Sequence, residues 1–344
     1  MLNGTVSWTT GDRTVGGVTS RYVALCVLTS AILGGSFTVS RSILSYPVLS
    51  GQAIRYTLAA LALAAIVALS RTSVRPTPRE MVRLASVAAT GLVAFNVLLL
   101  FALRHADPAV IGTIVGGSPL VLALIGPLQE GRRPAPRLVA AAGVVVAGAA
   151  LVHGGGSADL LGVLASAGLL LAEASFSLLA APLLPRLGPV RVSAWSTAAA
   201  VPMLLLAMAA TGEAPRIPTA AEVAGLIFLG LVLTVVAFVA WYTGVRGLGV
   251  ERAGVFVGLV PVAALITFAV AEWRVPNAPQ ALGVLVVACG LVAGLRSGSP
   301  ARDRSPARDR SPARDRSPAR DREGAWEPAR SSLAPAASPA SPGS

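Results

Sequence analysis

The sequence is poor in charged, sulfur-containing and metal-binding residues. It has no lysine, two cysteines and two histidines among 344 residues, and only 13% of its residues are charged. Soluble globular domains carry about 25% charged residues, so this low charge and a mean hydropathy of +0.71 argue against a water-soluble enzyme. The arginines separate apolar runs instead of clustering on one face with interleaved aromatics, which argues against a nucleic-acid-binding surface.

Motifs for catalysis, metal binding and nucleotide binding are also missing. Cys26 and Cys289 lie inside apolar runs, and His105 and His153 are far apart in the sequence, so neither a disulfide framework nor a metal site is expected. Gly154-Gly-Gly-Ser157 lacks the lysine of a phosphate-binding loop. We therefore expect no enzyme activity, no cofactor and no direct pumping by ATP.

Long apolar runs are what the sequence does contain. A bilayer core about 30 Å thick requires roughly 20 apolar residues per helix, and ten runs of about that length are bounded by charge, proline or glycine. The runs are Tyr22–Ser40, Ala53–Ser70, Leu84–Leu103, Ala109–Leu128, Leu138–His153, Leu160–Ala181, Val192–Ala210, Val223–Val245, Ala253–Ala271 and Ala281–Leu295. The sequence predicts an all-α polytopic membrane protein with ten transmembrane helices.

The arginines between these runs predict the orientation. With the N-terminus in the cytoplasm, cytoplasmic segments collect thirteen arginines and external segments five before the C-terminal tail is counted, which agrees with the positive-inside rule. We expect a multi-pass protein of the plasma (inner) membrane with both termini cytoplasmic. The oligomeric state stays open, because lipid-facing and partner-facing apolar surfaces have the same composition.

The fourth and fifth apolar runs match the ninth and tenth at an offset of 142 residues without gaps. Chance alignment of apolar sequence explains paired valines and glycines, but it does not explain proline, glutamate and arginine pairs in one register. The matched pairs include Arg104 and Arg246, Gly116 and Gly258, Pro119 and Pro261, Glu130 and Glu272, Arg132 and Arg274, and Gly148 and Gly290. Each copy has five predicted helices, and an odd number makes the second copy enter the membrane from the opposite side, as in many secondary transporters.

This repeat predicts four regions in the chain. A cytoplasmic segment (1–21) precedes the first five-helix repeat (22–153) and the second, inverted repeat (154–296). The tail (297–344) contains the unit Ser-Pro-Ala-Arg-Asp-Arg four times. Such a tail has too few apolar residues to form a core, and we expect it to be cytoplasmic and disordered.

Several of these motifs together resemble the EamA-type permeases of the drug/metabolite transporter superfamily over residues 22 to 296. Phe101-Ala-Leu-Arg104 with Pro119 and Glu130 is similar to the family's helix-end pattern, and Trp241-Tyr-Thr-Gly-Val-Arg246 with Pro261 and Glu272 is similar to a second copy. Gly34-Gly-Ser-Phe37 and Arg55-Tyr56 resemble elements of the first and second helices. The resemblance implies transport, with export favoured because many members are exporters.

Glu173 is the sharpest single candidate for a functional residue. It lies in the sixth apolar run with no basic residue within a helical turn, and a carboxylate at that depth is costly unless it faces the bundle interior, a water-filled cavity or a partner. Such a group suits proton binding and release or contact with a cationic solute. The alternative is a structural glutamate that packs against serine or threonine.

Other polar or kink-forming residues inside the apolar runs are weaker candidates. Polar side chains there can bind solute, although bonds between helices are their commoner use, and a proline frees a carbonyl and bends its helix. The pathway candidates are Ser36, Thr38, Asn96, Thr234, Trp241 and Tyr242, and the kink or gating candidates are Pro119, Pro202 and Pro261.

The expected function is that of a secondary transporter that exports a small metabolite or drug-like solute by alternating access. Its expected partners are a small-molecule substrate and the lipid bilayer, with the proton as a candidate coupling ion and no nucleic acid. The alternatives are an importer of a small organic solute and a membrane scaffold that transports nothing.

Overall fold

A computed structural model describes residues 12–70, 74–273 and 275–296, with side chains described from Ser20 onwards. The predicted tail and the first eleven residues lie outside these ranges. Within the described part the chain forms helices and connecting loops and no strand, which confirms the all-α prediction.

We number the helices in chain order. They are α1 (Asp12–Ser40), α2 (Val48–Leu69), α3 (Pro78–Ala102), α4 (Pro108–Gln129), α5 (Pro136–His153), α6 (Leu160–Ala180), α7 (Leu184–Thr211), α8 (Ala220–Leu248), α9 (Val250–Glu272) and α10 (Ala278–Arg296). Short 3₁₀ turns follow α1 at Arg41–Ile43 and α6 at Ala181–Leu183.

Among the described residues, nine helical stretches are long and apolar enough to cross a membrane. One of these stretches, Leu160–Thr211, has 52 residues and contains both α6 and α7, with Gly188 in a non-helical conformation at φ 76°. Large apolar side chains are exposed along the helices, such as Leu61, Leu206 and Val270, as expected for surfaces that face lipid. The chain is a multi-pass membrane protein, and the number of ten crossings stays a prediction.

Most helices begin earlier than their apolar runs predict, and at α3 and α8 a capping box accounts for the earlier start. The side chain of Thr77 accepts a hydrogen bond from the backbone of Glu80, whose own side chain accepts one from Thr77, and Thr219 and Glu222 form the same capping box at α8. These bonds satisfy free N–H groups of the first turn. Helix therefore extends into polar sequence that a hydropathy window leaves out.

The irregularities of the helices recur at the repeat offset. A π-helical turn interrupts α3 at Ala88–Ala94 and α8 at Phe228–Val236. The helix breaks after Val115 in α4, and a 3₁₀ turn occupies Phe256–Gly258 in α9. Because propensity alone rarely produces π turns, the matching positions indicate that the two segments share one backbone plan.

Helices α5 and α10 pack against each other in antiparallel directions. A Cβ atom added to Gly148 would lie 2.7 Å from the backbone nitrogen of Val287, and one added to Gly290 would lie 2.6 Å from the side chain of Val145. The earlier part of α5 therefore lies beside the later part of α10. Small residues allow this close backbone approach, as they do in many membrane helix pairs.

Two further helix pairs between the predicted repeats are antiparallel. In α1 and α8, Tyr22 packs against Gly247 and Cys26 packs against Gly244. The Thr29 hydroxyl donates a hydrogen bond of 3.3 Å to the carbonyl of Ala237, so later residues of α1 meet earlier residues of α8. In α2 and α7, one apolar cluster joins the beginning of α2 to the end of α7 around Leu204, and another joins Leu63 to the beginning of α7.

Candidate functional site

Glu173 points from α6 towards the middle of α4. Its side chain is half-buried, and its Oε1 lies 3.5 Å from the hydroxyl of Ser118, which is fully buried. No arginine lies within ion-pair distance of Glu173 among the residues that the structure describes. The carboxyl group therefore has one weak polar partner, and it remains available to a proton or a cationic group.

The contact with Ser118 occurs where α4 is interrupted. Its first part ends at Val115, and a new helical segment begins at Ser118 with Pro119 in its first turn. The hydroxyl oxygen of Thr113, one turn before this break, is buried and has no hydrogen-bond partner among the described residues. Unsatisfied polar groups and an interrupted helix beside a carboxyl group are typical of a transporter binding site.

Pro261 occupies the matching place in α9, three residues after the end of the 3₁₀ turn Phe256–Gly258. The first helix packs here, because a Cβ atom added to Gly34 would lie 2.6 Å from the Cβ of Ala263. Ser36 is buried close by and bonds the carbonyl of Leu33 in its own helix at 2.7 Å. Ser36 and Pro261 thus lie near one helix interface.

Trp241 and Tyr242 contact α6 one turn from Glu173. The Nε1 of Trp241 donates a hydrogen bond of 2.9 Å to the hydroxyl of Ser177, and the hydroxyl of Tyr242 donates one of 3.3 Å to the carbonyl of Phe176. The Phe176 ring stacks on Tyr242 with centroids 4.9 Å apart. These contacts bring two of the predicted pathway residues next to the segment that carries Glu173.

Thr234 lies in the middle of α8 and binds an arginine. Its hydroxyl accepts a hydrogen bond of 2.8 Å from Nε of Arg55 in α2 and donates one of 2.8 Å to the carbonyl of Leu229. The sequence position of Arg55 near the outer mouth favours anchoring at the interface, with attraction of anions as the alternative, and the fold brings its guanidinium to the midpoint of a neighbouring helix. The sequence signal for this contact was the pair Arg55-Tyr56, which places an arginine inside an apolar run.

Three candidates make no described contact with Glu173. Asn96 is buried and donates to the carbonyl of Leu92 in its own helix, and Thr38 is half-buried near the end of α1. Pro202 lies in α7 with its side chain exposed, and the helix continues around it. A pathway or gating role for these residues stays a prediction.

Ion pairs between the two predicted repeats lie at the two ends of the bundle among the described residues. At the end that contains Arg41, its Nη1 lies 2.8 Å from Oε1 of Glu272, and Glu213 accepts a bond of 2.7 Å from the backbone of Ser50. At the opposite end, Arg132 lies 2.9 Å from Glu251, and Arg186 pairs with Glu80. We call these the Arg41 end and the Arg132 end.

Two loop carboxylates also join the repeats at the Arg41 end. Asp107 accepts hydrogen bonds from the backbone nitrogen of Ser157 at 2.8 Å and from its hydroxyl at 3.0 Å, and these bonds lower the pKa of Asp107. Asp159 caps α6 through Gly162 and lies 2.9 Å from Nδ1 of His105. The Gly162 bond and then the His105 bond lower the pKa of Asp159.

No described part of the chain gathers three or more histidine, cysteine, aspartate or glutamate side chains into a group that could hold a metal ion.

Comparison with known proteins agrees with this architecture. The sequence model of the EamA-like transporter family matches residues 20–154 and again residues 160–294. The chain belongs to the EamA-like transporter family. Its members are transporters and not enzymes, so membership supports the same coarse assignment for this protein.

Two relatives carry names consistent with this family. An uncharacterized transporter, YdeK, from Bacillus subtilis (strain 168) is 30% identical over 62% of this chain and 76% of its own length. A probable terminal-alkyne amino-acid exporter from Streptantibioticus cattleyicolor is 28% identical over 75% of this chain and 87% of its own length.

A solved crystal structure of a protein shares the fold. It aligns with a TM-score of 0.70 and 22% sequence identity, covering 80% of this chain and 98% of the other. At that identity the likeness concerns the fold alone.

Proposed function

We propose that this EamA-like protein is a secondary transporter that exports a small metabolite or drug-like solute by alternating access. The observation that carries this proposal is the place of Glu173 opposite the interruption of α4, with Ser118 at 3.5 Å and the unpartnered Thr113 hydroxyl one turn away. A proton that binds and leaves Glu173 is the proposed coupling ion. The relative named as an exporter supports the direction.

Inverted repeats would supply the motion. The antiparallel packing of α5 with α10, which are equivalent helices of the two copies, supports a two-fold relation between residues 22–153 and 154–296. Two halves related in this way can exchange conformations and expose a central site to each side in turn. In this proposal α6 and α7 cross the membrane separately around Gly188, which makes ten crossings.

The contacts at the two ends of the bundle would act as gates. Arg41 with Glu272 closes one end, and Arg132 with Glu251 closes the other. The Arg41–Glu272 pair is exposed on both sides, and exposed pairs contribute about 0.2–1 kcal/mol, so a carrier could open that end without a large penalty. The proposed orientation places the Arg132 end in the cytoplasm of a cell bounded by the plasma (inner) membrane, with both termini on that side.

The test compares metabolites inside and outside cells that lack the protein, overproduce it, or overproduce Glu173→Gln at equal membrane abundance. We expect at least one solute to accumulate outside only with the intact protein, and Glu173→Gln to reduce its efflux by about tenfold or more, because the amide cannot bind and release a proton.

Glu130→Gln is the matched control, because this substitution makes the same chemical change at an exposed helix end, where Glu130 pairs with Arg132. It should retain most of the efflux. Full efflux by a correctly inserted Glu173→Gln protein would remove Glu173 from the mechanism. Accumulation inside the cells would favour an importer, and no change in any solute would favour a membrane scaffold.

A further inference from the structure

Among the residues that the structure describes, one arginine inside the bundle, Arg55, has no carboxylate partner. Arg55 is half-buried in α2, and its Nε bonds Thr234 at the midpoint of α8. The described ion pairs of the bundle all lie elsewhere, and none includes Arg55. A charged arginine inside a membrane protein is costly and marks a pathway or partner by default.

The neighbours of Arg55 hold its guanidinium without neutralising it. Thr234 accepts from Nε at 2.8 Å, and Gln52 accepts from Nη1 at 3.2 Å. Both acceptors are neutral, and a guanidinium carries five N–H donors. The described contacts therefore fix the orientation of the planar group and leave part of its donor edge for another acceptor.

The π-helical turn of α8 explains why Thr234 can act in this way. The proton of its hydroxyl goes to the carbonyl of Leu229, five residues earlier, at 2.8 Å. This direction leaves the lone pairs of the oxygen to Arg55. Unusual helix geometry of this kind occurs frequently at functional sites.

An aromatic surface adjoins the guanidinium. The Cζ of Arg55 lies 5.0 Å from the centre of the Tyr56 ring, and Tyr56 belongs to the apolar cluster that Phe176 and Phe238 pack against. Phe176 contacts Phe238 at 4.7 Å and Tyr242 at 4.9 Å between ring centres. The four rings link the Arg55 region to the helix of Glu173.

The duplicated fold does not require this arginine. At the repeat offset, the counterpart of Arg55 is Thr197 and the counterpart of Thr234 is Leu92. The glycine pair Gly148 and Gly290 and the capping boxes that begin at Thr77 and Thr219 recur in both copies, as a structural need predicts, whereas the guanidinium occurs in one copy. Because the two repeats share their backbone structure and only one of them has this arginine, we attribute the arginine to binding of a solute in one orientation.

We propose that Arg55 binds a carboxylate of the transported solute, and that the half-buried rings of Phe176 and Phe238, which are backed by the buried rings of Tyr56 and Tyr242, accept its apolar part. The inference deepens the proposed function and rests on it. A guanidinium pairs with a carboxylate through two parallel N–H···O bonds, and the neutral partners of Arg55 leave its charge for that ligand. The solute class is an organic acid with an apolar or aromatic portion.

The test measures binding of 3-phenylpropionate and of its neutral amide, 3-phenylpropionamide, to the full-length protein in detergent, by thermal shift and intrinsic tryptophan fluorescence. We expect the acid to bind at least tenfold more tightly than the amide. Arg55→Gln should remove that preference, Arg55→Lys should keep part of it because a point charge cannot make the two-bond pair, and Thr234→Val should weaken acid binding severalfold.

Size-exclusion profiles and unfolding temperatures show whether each variant is folded, and Arg55→Lys and Thr234→Val test the site if Arg55→Gln does not fold. Equal binding of acid and amide, unchanged acid binding by folded Arg55 variants, or no acid binding at millimolar concentration would overturn the inference. Export in cells separates the two proposals: exported solutes without a carboxylate contradict the Arg55 assignment alone, whereas no exported solute contradicts the transport function.

Discussion

At the scale of single residues, burial and partners separate side chains that have the same chemistry. Glu173, Glu130 and Glu272 are all glutamates in or near apolar runs, yet Glu130 and Glu272 are exposed and pair with arginines. In the described part of the chain, Glu173 has the hydroxyl of Ser118 as its one polar partner. Paired exposed carboxylates contribute little to the free energy of unfolding, whereas an unpaired one inside the bundle must be tolerated for another reason, which we assign to transport.

The loop carboxylate Asp107 provides a prediction about stability and pH. Hydrogen bonds from Ser157 lower its pKa below the usual value of 3.8 in the folded protein. A carboxyl group with a lowered folded pKa stabilises the fold above its unfolded pKa, and that contribution disappears as the pH falls through the folded pKa. Asp107→Ala should therefore lower the unfolding temperature at pH 7, and the difference from the wild type should shrink below about pH 4.

The measurement is thermal unfolding of the purified protein in detergent between pH 7 and pH 3. Ser157→Ala removes one of the two donors, so it should reproduce part of the effect of Asp107→Ala at pH 7. An equal difference at both pH values would show that the carboxylate is not the source of the stabilisation.

At the scale of helices, close packing of α5 with α10 depends on glycine at particular positions. A Cβ atom on Gly148 would lie 2.7 Å from the backbone nitrogen of Val287 and 2.9 Å from the carbonyl oxygen of Gly283. Backbone atoms cannot rotate away as a flexible side chain can. The two helices must then separate to accommodate even a methyl group.

Gly148→Ala should therefore lower the free energy of unfolding by about 1–3 kcal/mol, the usual cost of overpacking a well-packed interface. Gly143→Ala is the matched control in the same helix, since nothing lies within 4 Å of its added Cβ. That substitution should be neutral or stabilising by up to about 1 kcal/mol, because alanine favours helix over glycine. Unfolding in denaturant measures both, and equal effects would contradict the antiparallel packing.

At the scale of the whole molecule, the stretch Leu160–Thr211 decides the topology. If its 52 residues cross the membrane twice around Gly188, the chain has ten crossings, and the start of α1 and the end of α10 lie on the same side of the membrane. If they cross once, the count is nine and the chain ends lie on opposite sides. The positive φ of Gly188 and the 3₁₀ turn at Ala181–Leu183 favour two crossings, because they end one helix before the next begins.

Reporter fusions test this prediction. A fluorescent protein, which folds only in the cytoplasm, should be fluorescent when fused after residue 187 or 296, and alkaline phosphatase, which is active only outside, should be active when fused after residue 156 or 213. Activity of phosphatase at position 187 would contradict the ten-crossing topology, and fluorescence at 156 would reverse the proposed orientation.

Much of this protein is determined by its sequence alone. The length of the apolar runs determines that they are helices in a bilayer, because lipid leaves the backbone no other hydrogen-bond partner over that length. The match of Pro119 with Pro261 and of Glu130 with Glu272 indicates the duplication, and the family follows from these motifs. The two-fold relation between the repeats and the identity of the solute are proposals that rest on this family assignment and on the duplication.

Only the tertiary structure decided which polar groups meet. Lipid-facing and protein-facing surfaces are both apolar in this chain, so the hydropathy pattern does not report how a helix is rotated about its axis or which helix lies beside it. Ser118 beside Glu173 and Thr234 beside Arg55 depend on that rotation and on two helix interruptions that hydropathy cannot indicate. For this reason the sequence identified Glu173 by its depth, whereas for Arg55 it favoured interface anchoring over attraction of anions, and only its neighbours in three dimensions favour the anion.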